Sequence, residues 1–175
     1  KQPVWINLEY LSAEPWVTQC HGLPSPHPSL PLIKTFFFPG FVQGTGGLLR
    51  EKNLIAQRSA FSSTAERAFL QRKGLLARKP GEIRTSLFCY ETAPVTKFIR
   101  ILSESSKPVL LIVPEGSVAG SIASLLNNPS SQTGKLVQYG QLTVQIIPFM
   151  EQTDYDRLLW SCDFNFVRGE DSFVR

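Results

Sequence analysis

The stretch Val109-Leu110-Leu111-Ile112-Val113-Pro114-Glu115-Gly116-Ser117 determines the fold that we predict for this chain. Residues 109–113 are a continuous run of β-branched residues and leucine, which is typical of a strand buried on both faces of a parallel sheet. A helix is predicted directly after it, because apolar residues recur at helical spacing. These residues are Val118, Ile122, Leu125 and Leu126, and Asn127-Asn128-Pro129 is expected to end the helix. The stretch is therefore one strand-and-helix repeat of an α/β domain.

The same alternation continues on both sides of this stretch. Strands are predicted at residues 86–90, 142–147 and 164–167, and helices are predicted between them. Thr153 and Asp156 stand three residues apart, which suggests a capping box at the start of the last of these helices. Such a succession predicts a mainly parallel sheet that binds its ligand beyond the carboxyl ends of the strands.

Residues 1–78 lack this regular alternation and are assigned to a separate domain. Strands are predicted at residues 5–11 and 34–38, and the segment between them is too rich in proline to be helical. A helix is expected at residues 65–73, capped by Ser62-Ser63-Thr64.

The predicted interdomain linker is residues 79–81, within the sequence Arg78-Lys79-Pro80-Gly81. Residues 82–175 then form the second domain. Both ends of the chain look cut, because the first residue is not methionine and the last residues fall inside a helix signal.

The composition is that of a globular protein, with 42% hydrophobic and 18% charged residues. The net charge of +4 suits an anionic ligand or an acidic protein partner. Basic residues cluster between residues 50 and 79 but alternate with apolar ones, as on a solvated helix face, so direct nucleic-acid binding is not predicted. The chain has no apolar run of membrane-spanning length, no signal peptide and an odd number of cysteines, which predicts a cytoplasmic protein with no membrane partner.

One short segment, Cys20-His21 with His27, contains residue types that bind metal ions. One cysteine and two histidines without a further cysteine or carboxylate at ligand spacing make a poor zinc site. No metal is therefore predicted, and both histidines are expected to be hydrogen-bonded residues of turns.

The residues after the last predicted strand are Arg168-Gly169-Glu170-Asp171-Ser172, where a helix is expected to begin. The amides and positive dipole end of a helix N-terminus suit a phosphate group. Glu170 and Asp171 would repel phosphate and suit sugar hydroxyls, whereas Ser172 suits the anion. We interpret the segment as a nucleotide-sugar site, and the structural alternative is that the three residues only cap a helix.

Aromatic residues near the other strand ends suggest where a nucleobase would bind. Phe88 and Tyr90 alternate along one strand, Phe149 follows another, and Tyr155 lies just beyond it. Flat rings suit stacking on a base, and the amide of Gln152 suits its edge. The alternative for Phe88 is a core position under the sheet.

Six segments in order along the whole chain carry a resemblance to one protein family. They are Trp5-Ile6-Asn7-Leu8-Glu9-Tyr10-Leu11-Ser12, Cys20-His21-Gly22-Leu23-Pro24-Ser25-Pro26, Phe36-Phe37-Phe38-Pro39-Gly40-Phe41, Thr45-Gly46-Gly47-Leu48-Leu49-Arg50-Glu51, Ser86-Leu87-Phe88-Cys89-Tyr90-Glu91 and Arg168-Gly169-Glu170-Asp171-Ser172. Together they resemble the EarP family, the bacterial arginine rhamnosyltransferases that modify translation elongation factor P.

The resemblance implies the glycosyltransferase-B architecture, in which two Rossmann-like domains face each other across a cleft. On this basis the chain holds the end of the acceptor-side N-terminal domain and the first part of the donor-binding C-terminal domain. The implied reaction transfers L-rhamnose from dTDP-β-L-rhamnose to one arginine of elongation factor P, with inversion, and activates the factor. No metal or other cofactor is expected.

The resemblance also implies a donor pocket and an incomplete catalytic apparatus. The implied donor-binding residues are Phe88, Tyr90, Phe149, Gln152, Tyr155, Arg168, Glu170, Asp171 and Ser172. Phe149 and Gln152 would hold the thymine, and the three residues from 170 to 172 would meet the sugar and diphosphate. In family members the proposed catalytic base is an aspartate ahead of the position that is Lys1 here. The chain alone is therefore expected to be inactive, with Glu170 in a supporting catalytic role.

Two other functions remain open from the sequence. A sugar-nucleotide epimerase or another doubly wound nucleotide-binding enzyme would need a dinucleotide glycine fingerprint or a second set of acid and base residues, and we find neither. A non-catalytic module could instead bind elongation factor P or another acidic protein through residues 50–79.

Overall fold

The computed structural model describes residues 3–126, 134 and 136–175, and the chain divides into two compact units. The first unit comprises Lys1–Lys52 and Gly169–Arg175, and the second comprises Asn53–Arg168. The segment Asn127-Asn128-Pro129, which was expected to end a helix, lies outside the described residues.

The described part of the first unit contains a three-stranded sheet. Strand β1 (Trp5–Leu8) pairs in parallel with β3 (Ile33–Phe37), and β2 (Pro24–Pro26) pairs with the other side of β3 in antiparallel fashion. One helical turn, α1 (Val17–Cys20), lies between β1 and β2. Both predicted strands are confirmed. The proline-rich segment adds a third strand at the edge, where a proline, which has no N–H, can be accommodated.

The second unit consists of strands and helices in alternation after two initial helices. Its elements are α2 (Leu54–Ser59), α3 (Ser63–Arg72), β4 (Ile83–Leu87), α4 (Val95–Ser103), β5 (Val109–Pro114), α5 (Ser117–Leu125), β6 (Leu136–Tyr139), β7 (Leu142–Ile147), α6 (Gln152–Trp160) and β8 (Phe164–Phe166). The last helix of the chain, α7 (Glu170–Phe173), groups with the first unit.

Among the described residues, the sheet of the second unit has five strands in the order β6-β7-β5-β4-β8. Strands β7, β5, β4 and β8 are parallel, which confirms the predicted parallel sheet. Strand β6 pairs antiparallel with β7 and was not predicted. Only Val137 of β6 is buried, so this strand lacks the apolar run that marks its neighbours.

The sheet is covered on both faces, as the composition of β5 predicts. Leu111 and Val113 belong to a core that α4 and α5 cover, whereas Leu110 and Ile112 belong to a second core on the opposite face. All six residues of β5 are buried. The strand that determined the predicted fold is therefore the centre of a three-layer α/β unit.

The division into units differs from the predicted boundary at residues 79–81. Helix α3 contributes Phe69 and Leu70 to the second core, where they pack with Leu110 and Ile112 of β5. Residues 53–78 therefore group with the parallel sheet. The amphipathic pattern of α3 predicted the helix but not the surface on which it packs.

Two predicted helix caps have different outcomes. The Ser62 hydroxyl accepts a hydrogen bond from the Ala65 N–H at 3.3 Å, which confirms the cap of α3. The capping box at Thr153 and Asp156 is wrong, because α6 begins after Glu151 and has no side-chain cap. Asp156 is buried instead.

Helices α3 and α6 are joined by an ion-pair cluster around Asp154. The carboxylate pairs with Lys73 and, at 2.9 Å, with Arg157. The hydrogen bond from Lys73 is the main reason that the pKa of Asp154 lies below its usual value. A lowered pKa in the folded state means that the ionised carboxylate stabilises the fold.

We expect Asp154→Asn to lower the free energy of unfolding at pH 7 by about 1 kcal/mol. The stabilisation is present above the pKa of the unfolded chain, about 4, and is lost as the pH falls through the lowered pKa of the folded state. The difference between the two proteins should therefore shrink at pH 3. Urea denaturation at both pH values, on the chain at the full length of its relatives, measures this.

Glu104→Gln is the control, because it neutralises an exposed carboxylate that makes none of these ion pairs. An equal loss of stability in Asp154→Asn at pH 7 and pH 3 would contradict the assignment.

Candidate functional site

The order of the parallel strands indicates where the second unit binds a ligand. In chain order they run β4, β5, β7, β8, whereas in the sheet β8 lies beside β4. The direction of winding therefore changes between β4 and β8. Parallel sheets of this kind bind ligands outside the carboxyl ends of the strands at such a switch point.

The two loops at this switch point are in direct contact through Arg168. Its guanidinium carbon lies 4.3 Å from the Phe88 ring centroid and 4.7 Å from that of Tyr90. The Phe88 N–H donates a hydrogen bond to the Phe166 carbonyl at 2.8 Å, which extends the pairing of β4 with β8 by one step. A guanidinium held against aromatic rings keeps N–H groups that can bind an anion.

Tyr155 of α6 completes this group, which we call the arginine–aromatic cluster (Phe88, Tyr90, Tyr155 and Arg168). Its ring lies edge-on to Phe88, with centroids 6.1 Å apart. The Tyr155 hydroxyl is buried and has no hydrogen-bond partner among the described residues. Burial raises the pKa of Tyr155 to about 12, with Arg168 acting in the opposite direction. At neutral pH the hydroxyl therefore keeps its proton and can act as a donor.

The thiol of Cys89, which lies between Phe88 and Tyr90 in the sequence, is buried. Cys89 is 3% exposed, and burial raises its pKa, although nearby Arg168 opposes the shift. Burial likewise raises the pKa of Cys162 to about 12. Because the thiolate is the reactive form, neither residue is suited to covalent catalysis.

Phe149 and Gln152 lie in the loop after β7 and at the start of α6. The Phe149 ring is 64% exposed, and its N–H donates to Glu115 Oε1 at 3.4 Å. The Gln152 side chain donates from Nε2 to Asp156 Oδ1 at 2.9 Å. Both residues of the predicted pair are exposed, and each donates a hydrogen bond to a carboxylate, Phe149 from its backbone and Gln152 from its side chain.

The sequence missed the two carboxylates that support this pair. Asp156 stands four residues after Gln152, which places the two side chains on one face of α6. That spacing was present in the sequence, but we assigned Asp156 to a capping box. Nothing in the sequence pairs Glu115 with Phe149, because the contact depends on β5 and β7 being neighbours.

The segment from residue 170 to 172 forms the short helix α7, as predicted for a helix start. Gly169, which precedes it, has a φ of +92°, a conformation that suits glycine. The Ser172 hydroxyl donates to the Gly169 carbonyl at 2.9 Å. The side chains of Glu170 and Asp171 are outside the described part of the structure, so their contacts with a ligand remain predictions.

The two histidines have the structural role expected of them. His21 Nδ1 accepts from the Phe38 N–H at 3.1 Å, and His27 Nδ1 accepts from the N–H groups of Ser29 and Leu30, each at 3.1 Å. Among the described residues, no group of three or more histidine, cysteine, aspartate or glutamate side chains is arranged to hold a metal ion. Within the same residues, no helix has the length and apolarity required to cross a membrane.

Comparisons with known proteins agree on one family. The family described as "Elongation-Factor P (EF-P) rhamnosyltransferase EarP" matches residues 1–175. A protein-arginine rhamnosyltransferase of Pseudomonas putida is 52% identical over 175 residues, which cover 99% of this chain and 46% of the relative. The enzyme of the same name from Pseudomonas aeruginosa is 48% identical over 178 residues, covering 100% of this chain and 47% of the relative.

A solved structure supports the same assignment. It is described as the structural basis for EarP-mediated arginine glycosylation of translation elongation factor EF-P, and it matches with a TM-score of 0.73 and 47% identity. The match covers 79% of this chain and 46% of that one. The present chain therefore spans just under half the length of the proteins that it matches. The family match over every residue, together with these identities, shows that the chain belongs to the EarP family of protein-arginine rhamnosyltransferases.

Proposed function

We propose that this chain is part of an inverting glycosyltransferase that transfers L-rhamnose from dTDP-β-L-rhamnose to an arginine of translation elongation factor P and thereby activates the factor. Family membership supports the transferase class. The observation that carries the proposal is the arginine–aromatic cluster at the switch point of the parallel sheet. We assign the chain to a cytoplasmic enzyme of glycosyltransferase-B type that needs no metal.

The nucleotide end of the donor is matched by the exposed pair after β7. The Phe149 ring would stack on the thymine, and the Gln152 amide would bind its edge. Phe149 is 64% exposed, and covering its ring with a base would remove apolar surface from water, which is favourable.

The charged part of the donor is matched by the arginine–aromatic cluster. The guanidinium of Arg168 lies over the rings of Phe88 and Tyr90, so the cation is held in place before the diphosphate arrives. The protonated Tyr155 hydroxyl is a further donor. Such preorganised donors stabilise the charge that develops on the departing diphosphate.

The sugar and the remaining contacts are assigned to the last residues of the chain. We keep Glu170 and Asp171 as partners of the rhamnose hydroxyls and Ser172 as a partner of the diphosphate, on the chemistry of their side chains. The structure describes no ligand contact for these three residues, and their assignment follows the family resemblance.

In the proposed step, a guanidinium nitrogen attacks C1 of rhamnose on the face opposite the diphosphate. The N–C1 bond forms while the C1–O bond breaks, the electron pair of that bond leaves with dTDP, and a guanidinium proton passes to a carboxylate. Arginine, with a pKa above about 12, is a poor nucleophile until a carboxylate orients it and takes its proton. We assign the main base to an aspartate outside this chain and a supporting role to Glu170.

The decisive experiment uses the chain at the full length of its relatives, incubated with dTDP-rhamnose and elongation factor P. Mass spectrometry should show the factor gaining one deoxyhexosyl group on an arginine. No mass gain, together with binding of NAD in preference to dTDP, would support a dinucleotide enzyme instead. Binding of the factor without any sugar transfer would support a non-catalytic interaction module.

Two substitutions should separate the base from the diphosphate contacts. Phe149→Ala is expected to weaken binding of thymidine and dTDP equally, by about tenfold, because stacking one base contributes about 1–3 kcal/mol. Arg168→Ala should weaken binding of dTDP by about tenfold and leave thymidine almost unaffected, because its charge-assisted hydrogen bonds go to phosphate. Calorimetric titration of both ligands measures the two ratios.

Phe164→Ala is the matched control for Phe149→Ala. The two rings are 66% and 64% exposed, and Phe164 begins β8 rather than following a strand end. Its removal should leave dTDP affinity unchanged. Equal losses from the two substitutions would mean that Phe149 has no specific role.

Tyr155→Phe should stabilise the unliganded protein and weaken ligand binding at the same time. Removing a buried hydroxyl that has no partner is expected to raise the free energy of unfolding by about 1 kcal/mol. The lost donor should lower dTDP affinity by about tenfold. Urea denaturation and calorimetry test the two effects, and Tyr139→Phe, which alters a half-exposed ring on β6, is the control. A Tyr155→Phe variant that is less stable than the unmodified protein and binds dTDP with unchanged affinity would contradict both expectations.

A further inference from the structure

Asp156 has a role in base recognition that follows from the chemistry of its contact with Gln152. The carboxylate is 3% exposed and accepts a hydrogen bond from Gln152 Nε2 at 2.9 Å. An ionised carboxylate can only accept hydrogen bonds. It therefore selects the amide orientation in which the NH2 group of Gln152 faces inward.

The orientation of the amide determines what Gln152 offers to a ligand. With Nε2 held by Asp156, the carbonyl oxygen Oε1 points the other way, and the side chain itself is exposed at the start of α6. Without this contact an amide can present either its donor or its acceptor by rotating half a turn. Asp156 thus converts an ambiguous side chain into a hydrogen-bond acceptor.

We propose that Asp156 is a positioning residue which, by orienting Gln152, makes the base subsite selective for a pyrimidine that carries an N3–H donor. Thymine and uracil have this donor, whereas cytosine has an acceptor at N3. A Gln152 carbonyl that points outward accepts a hydrogen bond from the N3–H of thymine or uracil. With cytosine, the carbonyl oxygen and N3 are both acceptors and would face each other without a hydrogen bond. The inference rests on the proposed function, because it takes Gln152 as the residue that meets the base edge.

The contact with Gln152 forms at a position of the helix that suits a negative charge. Asp156 lies in the first turn and a half of α6, where the helix dipole favours a negative charge. Asp156 and Gln152 share one face of the helix, so the orienting contact forms within the helix and does not depend on the ligand.

The test compares dTDP with dCDP on the chain at the full length of its relatives. Asp156→Asn has almost the same shape, but asparagine can either donate to or accept from Gln152, so the amide loses its fixed orientation. The ratio of dCDP to dTDP dissociation constants should fall by about tenfold, because mispaired polar groups no longer penalise cytosine. A role limited to helix stability would change both affinities equally and leave the ratio intact.

Two further variants make the readout specific. The double variant Gln152→Glu with Asp156→Asn should restore the original ratio, because glutamate presents an acceptor in either orientation while asparagine donates to it. Asp154→Asn is the matched control, since it makes the same change on the same helix and keeps the contact between Gln152 and Asp156. Its ratio should equal that of the unmodified protein.

The unmodified protein supplies a second measurement that does not depend on the folding of any variant. The dTDP analogue methylated at N3 lacks the donor and should bind about tenfold more weakly than dTDP. Two results would overturn the inference and leave the proposed function standing, provided that the unmodified protein binds dTDP. One is an unchanged ratio of dCDP to dTDP dissociation constants in Asp156→Asn. The other is equal affinity of the unmodified protein for dTDP and its methylated analogue. Absence of dTDP binding to the unmodified protein would overturn both.

Discussion

The parallel pairing of β4 with β8 is the interaction on which the candidate site depends. It brings Phe88 and Arg168 side by side although they lie far apart in the sequence. The start of β8 is held in register by Asp163, whose carboxylate accepts from the Arg84 N–H at 2.8 Å and whose own N–H donates to the Arg84 carbonyl. A slip of one residue would turn every side chain of β8 to the opposite face and separate the cation from its rings.

Buried polar contacts hold the segment after α3 against the same sheet. Gln145 of β7 accepts from the Leu76 N–H at 3.1 Å and donates to the Gly74 carbonyl at 2.9 Å. Arg84 is fully buried and donates to the Leu76 carbonyl at 2.8 Å. Because a buried polar group without a partner is costly, these contacts specify one path for the chain. The helix that precedes the sheet in sequence is therefore fixed on one face, and the carboxyl ends of the strands are left to carry the loops of the site.

The sequence predicted what depends on local pattern and missed what depends on pairing. The run at residues 109–113 located β5, and residues 142–147 matched β7 to the residue. The strand predicted at residues 86–90 lies instead at Ile83–Leu87, because the neighbouring strands determine where pairing ends. The same limit explains why the compact units divide before residue 53 and not at the predicted linker, residues 79–81. The amphipathic pattern of α3 does not identify the sheet on which the helix packs. In the candidate site, the sequence predicted which aromatic and charged residues lie near the strand ends. It did not predict the contacts of Arg168 with Phe88 and Tyr90, because these depend on the pairing of β8 with β4.

The second unit contains two groups whose surroundings are energetically unfavourable. The Tyr155 hydroxyl is buried without a partner among the described residues, and the Phe149 ring is largely exposed. Folding alone would favour the opposite in both places, a paired hydroxyl and a covered ring. Departures of this kind are expected where a protein's function conflicts with its stability. Both residues lie beyond the carboxyl end of β7, at the edge of the sheet where parallel α/β units bind their ligands.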